Sequence, residues 1–335
     1  MQHTINIIKK LTFKKLTNTA ILYFSYISSN LFKYSKRFAY PLSISVEPTS
    51  VCNLNCPECP TGLDELTRYK GQIKFELYKK ILDELSPYLL NLILYFQGEP
   101  YLNKEIFKLI EYSAKEKKVF TTTSTNGHFL DSETAKKTIE SGLDKLIISL
   151  DGTNQETYVK YRKNGDLETV IQSIKNIIHW KKKLRSKNPY VVIQFLVFKF
   201  NEHQIPEIKK LSKELGVDKL ELKSAQIYDF KNDTEFIPLN TKYSRYKKDA
   251  AGKYQIKSKL KNKCIRMWES SVITNTGEVL PCCFDKDAKH SSGNITQHSF
   301  KEINNNKESV KFRKALLSNR KQIDMCKNCT EGLRI

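Results

Sequence analysis

Glycine and proline are scarce in this 335-residue chain, at 12 and 10 residues, which excludes a collagen-like or low-complexity polymer. No apolar run reaches the roughly 18 residues of a membrane span. The nearest stretch, 20–32, is interrupted by Ser25, Ser28, Ser29 and Asn30. Cysteine occurs only eight times, too seldom for a disulfide-stapled scaffold of this length. No acidic residue precedes Glu47, although seven Lys or Arg do. No small-x-small cleavage site follows the interrupted apolar stretch, which disfavours a secretory signal. There is no G-x4-G-K-[ST] loop, no H-E-x-x-H helix and no helix-turn-helix or aromatic-studded RNA-binding pattern, so no specific nucleic-acid partner is expected.

What the chain does contain is enough to fold: 39% hydrophobic residues, including 17 Phe and 17 Tyr, exclude a disordered polymer. The net charge of +21 fits an anionic partner, and it equally fits a lysine-coated solvated surface. Residues 1–40 read as a basic amphipathic leader, with Ile5, Ile8 and Leu11 and then Ile21, Leu22 and Phe24 in helical spacing. Such a leader is expected to make peripheral contact with an anionic membrane.

From Pro41 the pattern alternates strand with helix. Strands are expected at 42–46, 92–96, 119–124, 145–150, 191–197 and 219–222, and helices at 75–85, 105–114, 132–140, 167–184 and 204–215. That makes about six β/α units, an α/β fold with a parallel sheet, either doubly wound or an incomplete barrel. Residues 41–227 form this expected core. Residues 228–263, polar and weakly periodic, read as a linker. Residues 264–335 read as a small cysteine-bearing domain that opens with a hairpin around Asn275-Thr-Gly277 and carries a helix near 307–317.

The cysteines fall in two groups. Cys52, Cys56 and Cys59 lie on one short loop after the first strand, the end at which parallel β/α sheets carry their chemistry. Three thiolates suit a cubane iron–sulfur cluster with one iron open to an exogenous ligand. A zinc knuckle completed by a distant residue is the alternative, although the loop has no His and the next is His128. Cys264, Cys282, Cys283, Cys326 and Cys329 form the second group. Alone, it would also suit a zinc ribbon in a domain with little core of its own. Clustered thiols of this kind point to a reducing, cytoplasmic compartment.

The C-x3-C-x2-C loop resembles the signature of the radical S-adenosylmethionine (SAM) superfamily, and the likeness extends from Ser43 to Cys329. It implies a partial (β/α)6 barrel and a [4Fe–4S] cluster on Cys52, Cys56 and Cys59. The open iron would chelate SAM, whose one-electron cleavage yields a 5′-deoxyadenosyl radical, and a flavodoxin- or ferredoxin-type donor would supply the electron. Gln97-Gly98-Glu99-Pro100 resembles the family's Gly-Gly-Glu-Pro element around the cofactor's ammonium group, with Gln97 in place of the first Gly. Ser124 and Asn126 after the third strand, and Ser149 and Asp151 after the fourth, resemble polar strand ends at the cofactor. Arg162 resembles an arginine paired with its carboxylate. Glu58 departs from the usual aromatic residue before the third cysteine, so an adenine contact must come from elsewhere.

Cys264, twelve residues, Gly277, four residues and Cys282 resemble the opening of the SPASM and twitch auxiliary-cluster domains. The resemblance implies Cys264, Cys282, Cys326 and Cys329 as ligands of one auxiliary [4Fe–4S] cluster, with Cys283 left over. There are too few cysteines for a second auxiliary cluster, so the shorter twitch form is the better match. Related enzymes include a dehydrogenase that oxidises a secondary alcohol of an aminocyclitol. The implied reaction is therefore oxidation of a sugar- or cyclitol-like alcohol, with the auxiliary cluster as electron acceptor. Modification of a ribosomally made peptide ranks second, because the leader is short for a leader-peptide-binding domain. A non-catalytic zinc or redox-sensing protein is the third reading. No general base is identified; Asp285 and Arg266 lie nearest the second cysteine group.

Overall fold

The computed structural model describes residues 6–232 and 235–331. The chain packs as two compact units. The first comprises Met1–Val51, Leu66–Thr122 and Lys259–Ile335, and the second Cys52–Glu65 and Thr123–Ser258.

In the first unit, α1 (Phe13–Phe32) precedes β1 (Ser43–Val46), α2 (Phe75–Leu85), β2 (Asn91–Ile93), α3 (Ile106–Glu111) and β3 (Phe120–Thr125). The last residues of β3 pass into the second unit. β1 and β2 pair in parallel, Ser43 opposite Asn91, and β2 and β3 do the same, Asn91 opposite Phe120. Strand 92–96 was expected to be longer. It ends at Ile93 because the Ser45 hydroxyl takes the Tyr95 carbonyl, and the chain then turns into Gln97-Gly98-Glu99. α3 is also shorter than expected and continues as a π-helical turn, Tyr112–Glu116.

The second unit carries α4 (Ser132–Glu140), β4 (Lys145–Ser149), α5 (Gln155–Tyr161), α6 (Leu167–Lys183), β5 (Tyr190–Val197), α7 (Ile205–Glu214) and β6 (Lys219–Ser224). Its strands run in chain order from the end of β3 through β4 and β5 to β6, and β4, β5 and β6 are parallel. β5 is buried at five of eight positions, as suits a strand covered on both faces. α6 buries Leu167, Val170, Ile174, Ile177 and Ile178 at helical spacing. Its N-terminus is capped by Asp166, and its last turn carries three lysines against the negative end of the dipole. In neither unit does the strand order from β1 to β6 reverse, as a doubly wound sheet requires. The fold is α/β with a singly wound, mostly parallel sheet.

Of residues 228–263, expected as linker, the described ones up to Ser258 fall in the second unit and contribute to its core. β7 (Tyr246–Lys248) and β8 (Tyr254–Ile256) form an antiparallel hairpin. Ile237 and Tyr246 are buried with Leu54, Cys56, Tyr161 and Phe198 in one cluster. Their apolar residues are scattered singly among lysines, so no window shows a period. α5, not expected from the sequence, is a short helix capped by Asn154.

The cysteine-rich C-terminal region opens with α8 (Arg266–Glu269), β9 (Ser270–Ile273) and β10 (Val279–Leu280), with the turn where it was expected. β9 pairs in parallel with β1, Ser270 opposite Ser43, so this hairpin extends the first unit's sheet. α9 (Phe300–Asn304) and α10 (Lys307–Asn319) follow. The leader helix α1 is part of the same core. Its Leu22 and Tyr26 pack with Leu42, Cys264, Trp268, Leu316 and Cys326. Among the described residues no helix is long and apolar enough to cross a membrane.

Candidate functional site

The loop Cys52–Cys59 follows β1 in the chain and rests on the second unit's aromatic cluster. Leu54 and Cys56 are buried there, while Cys52 and Cys59 are half-buried against its rim. The chain after α5 clamps the loop: Asn55 N–H donates to the Lys163 carbonyl at 3.2 Å, and Asn164 Nδ2 donates to Asn55 Oδ1 at 2.9 Å. The backbone folds tightly at Gly62, where a Cβ would stand 2.5 Å from the Cys56 nitrogen. A side chain there would open the loop.

Polar donors converge on the sulfurs. Leu54 N–H points at Cys52 Sγ at 3.5 Å, and Asn126 Nδ2 lies 3.9 Å from the same sulfur while donating to Asn53 Oδ1 at 2.7 Å. Arg162 Nη1 stands 3.7 Å from Cys56 Sγ. Burial pushes the Cys56 thiol up, and the Arg162 cation pulls it back. Asp151, expected at the cofactor, instead spends both carboxylate oxygens inside the fold: Oδ2 accepts from Arg162 Nε at 2.6 Å and Oδ1 from Leu196 N–H at 2.6 Å. It is fully buried, and burial raises its pKa against the pull of Arg162. Asp151 is therefore a positioning residue for Arg162. Ser124 is the next-to-last residue of β3 and Ser149 ends β4. His128 cannot complete a zinc knuckle as it stands, because Nδ1 meets Asn126 Oδ1 at 3.0 Å and Nε2 accepts from Asp166 N–H at 2.9 Å. Glu58 Oε2 accepts from Tyr228 N–H at 2.8 Å, which sets an aromatic residue beside the loop.

In the first unit, Gln97–Pro100 forms a turn against residues 49–51. Glu99 N–H donates to the Val51 carbonyl at 2.8 Å. Gly98 has φ +72°, and a Cβ there would lie 2.5 Å from the Thr49 carbonyl and 2.6 Å from that of Val51, so only glycine fits. Glu99 is buried and accepts from Tyr101 N–H at 3.1 Å, capping the turn that starts at Pro100. Gln97 is buried as well.

Cys264, Cys282, Cys326 and Cys329 line one small pocket, which they share with Arg266 and Arg320. Cys283 does not line it and accepts from Arg266 Nη1 at 3.4 Å. Arg320 is only 1% exposed. Its Nη2 donates to Cys329 Sγ at 3.3 Å and the Glu331 carbonyl at 2.9 Å, and its Nη1 to the Lys263 carbonyl at 2.8 Å. Its Nε has no partner among the described residues. No carboxylate pairs with it among them, so a buried cation faces sulfur and carbonyl oxygen alone, an arrangement that calls for anionic sulfur. Burial pushes the Cys326 thiol up to about 11; metal binding would displace such protons. Among the described residues no three His, Cys, Asp or Glu side chains converge on a single-ion site. A cubane holds its thiolates on separate irons and needs no such convergence. Asp285, considered as a base, spends its oxygens on the Lys289 and His290 amides at 2.8 and 2.9 Å.

Asn53, Asn164, Tyr228 and Arg320 have no counterpart among the sequence expectations. Each makes its contact with a residue outside its own local motif.

Comparison with known proteins places these elements. The radical SAM superfamily model matches residues 46–212, and the SPASM model, an iron–sulfur cluster-binding domain, matches 264–330. A PqqA peptide cyclase of Bradyrhizobium diazoefficiens is 24% identical, the alignment covering 81% of this chain and 72% of that one. BtrN, solved in complex with AdoMet and 2-DOIA, superposes with a TM-score of 0.53 at 20% identity, covering 87% of this chain and 94% of its own. SuiB of Streptococcus suis, solved bound to S-adenosylmethionine, superposes with a TM-score of 0.64 at 15% identity, covering 90% and 74%. These likenesses to solved structures establish the fold.

Proposed function

The chain belongs to the radical SAM superfamily and carries a C-terminal SPASM domain, and from that premise we propose that it oxidises its substrate by two electrons, with a single auxiliary cluster as the internal acceptor. When bound, the cluster and SAM supply a 5′-deoxyadenosyl radical by one-electron cleavage of the S–C5′ bond. Cys52, Cys56 and Cys59 hold that cluster in this reading. Three sulfurs on one loop, with Leu54 N–H and Asn126 near Cys52 and Arg162 near Cys56 in place of a fourth ligand, support it. Arg162, fixed by Asp151, faces the cofactor carboxylate. Gln97, Gly98, Glu99 and Pro100 present backbone groups and the Glu99 carboxylate to its ammonium. Ser124, Asn126 and Ser149 meet its polar remainder, and Tyr228 supplies the ring that Glu58 does not.

The observation that carries the oxidative reading is the cavity of Cys264, Cys282, Cys326 and Cys329 around the buried Arg320. Four thiolates leave no iron open, so a cluster there transfers electrons and does not bind substrate. The buried guanidinium stabilises extra negative charge on adjacent sulfur, which favours accepting an electron. An auxiliary cluster held by Cys264, Cys282, Cys326 and Cys329 would supply an electron sink: in balance the substrate would lose one hydrogen atom to the SAM-derived radical, one electron to that sink and one proton to solvent or a base. A secondary alcohol on a sugar- or cyclitol-like ring becomes a ketone. The PqqA peptide cyclase relative favours a second reading, in which the same electron transfer completes an oxidative change in a peptide.

Single-turnover measurements under reducing, anaerobic conditions test the acceptor role. With a ring-alcohol panel and a peptide panel, the substrate is the compound that raises deoxyadenosine yield. Cys326→Ala should keep that yield while losing oxidised product. Undiminished product in the variant would overturn the acceptor role.

A further inference from the structure

Helix α1 is inverted relative to an ordinary surface helix. Its buried face carries Lys15, Asn18, Leu22, Ser25, Tyr26 and Ser29, and Lys15, Asn18, Ser25 and Ser29 find hydrogen-bond partners there, while the Tyr26 hydroxyl has none among the described residues. Asn18 exchanges two hydrogen bonds with the Tyr40 backbone, both 3.0 Å, and the Ser25 hydroxyl bridges the Lys36 carbonyl and Phe38 N–H, both at 3.3 Å. The outward face is apolar instead. Phe13, Leu16, Phe24, Ile27 and Leu31 succeed one another at helical spacing, with exposures of 82, 52, 67, 53 and 69%, and Phe32 and Phe38 continue the patch beyond. Solvated helices place their apolar stripe inward, and a contiguous exposed stripe of this size marks an interaction surface.

Charge identifies the occupant. Lys9 and Lys14 at one end of the stripe and Lys33 and Lys36 at the other are exposed, and no acid occurs before Glu47. A second copy of this helix, packed either parallel or antiparallel, would set lysines against lysines with no acid to offset them. An anionic bilayer offers both hydrocarbon for the stripe and counter-charge for its ends. We propose that α1 lies flat in the headgroup region of an anionic membrane, phenylalanines inward to the lipid and lysines at the phosphate level. Its inner face would meanwhile cover Cys264 and Trp268, so the auxiliary-cluster region is carried to the membrane by the helix that encloses it.

That dual role dictates point substitutions on the full, reconstituted protein rather than truncation, since removing α1 would strip Leu22 and Tyr26 from the core. The probe is co-sedimentation with vesicles of phosphatidylcholine alone and of phosphatidylcholine with phosphatidylglycerol. Wild type should bind the anionic vesicles and be released by salt. Phe24→Gln/Ile27→Gln/Leu31→Gln should weaken binding by about tenfold or more, with iron content and circular dichroism unchanged. Lys9, Lys14, Lys33 and Lys36→Gln should reduce anionic binding to the level on neutral vesicles. Absent wild-type binding, or equal binding by the folded triple variant, would overturn the proposal. So would a wild-type dimer that the triple variant converts to monomer without any vesicle binding, which would assign the face to a second copy.

Discussion

Arg162→Gln tests how far one buried pair holds the first cysteine loop's environment in place. The substitution leaves the Asp151 carboxylate, fully buried, with Leu196 N–H as its remaining donor. Breaking a buried ion pair from one side costs about 3–5 kcal/mol, and the low end applies because the Arg162 side chain is 14% exposed. Asp151 can limit the damage by taking a proton. Against an ordinary aspartate pKa, that costs about 4 kcal/mol at pH 7 and about 1.5 kcal/mol at pH 5. The direction follows from the fold: burial already raises the Asp151 pKa, and removing Arg162 raises it further. A carboxyl raised in the folded state contributes most below its unfolded pKa and loses that contribution as pH rises. The variant's deficit should therefore be near 3 kcal/mol at pH 7 and shrink toward about 1.5 kcal/mol at pH 5. Asp151→Asn added to Arg162→Gln should recover most of the loss at neutral pH. The assay is urea unfolding followed by circular dichroism at both pH values. A deficit under about 1 kcal/mol at pH 7, or one independent of pH, would refute the reasoning.

Gly98→Ala should lower SAM affinity by at least about tenfold, because the left-handed φ costs about 1 kcal/mol and its Cβ would force the Thr49 and Val51 carbonyls apart; equilibrium dialysis measures it. Leu22→Ala should cost about 2–5 kcal/mol and deplete auxiliary-cluster iron selectively, because Leu22 shares its core with Cys264 and Cys326. Iron quantification with unfolding curves reads both effects.

Elements with a repeating apolar stripe and a local cap were legible from sequence. The structure ends α2 at Phe75 and Leu85, and α4 at Ser132 and Glu140, the bounds the periodicity predicts. The cysteine loops were legible for a different reason: thiol spacing on a short segment survives without any knowledge of packing. Pairings between distant segments were not. Nothing near Asp151 announces Leu196, and nothing near Cys329 announces Arg320 nine residues earlier as its donor. The segment around Tyr246 read as linker because its core residues are isolated among lysines. The leader's periodicity showed that α1 is amphipathic, but not which face is buried, since its inner face is held by hydrogen bonds from Asn18 and Ser25.

The central claim is that the loop Cys52–Cys59 carries SAM cleavage while the C-terminal cysteines hold a separate cluster. Replacing Cys52, Cys56 and Cys59 together by Ala, then measuring iron and reductive deoxyadenosine formation in the same anaerobic sample, tests it most directly. Wild type should hold about eight irons as two four-iron cubanes. The variant should hold about half of that and form no deoxyadenosine. Deoxyadenosine formed at the wild-type rate, or complete loss of iron from a folded variant, would contradict the claim.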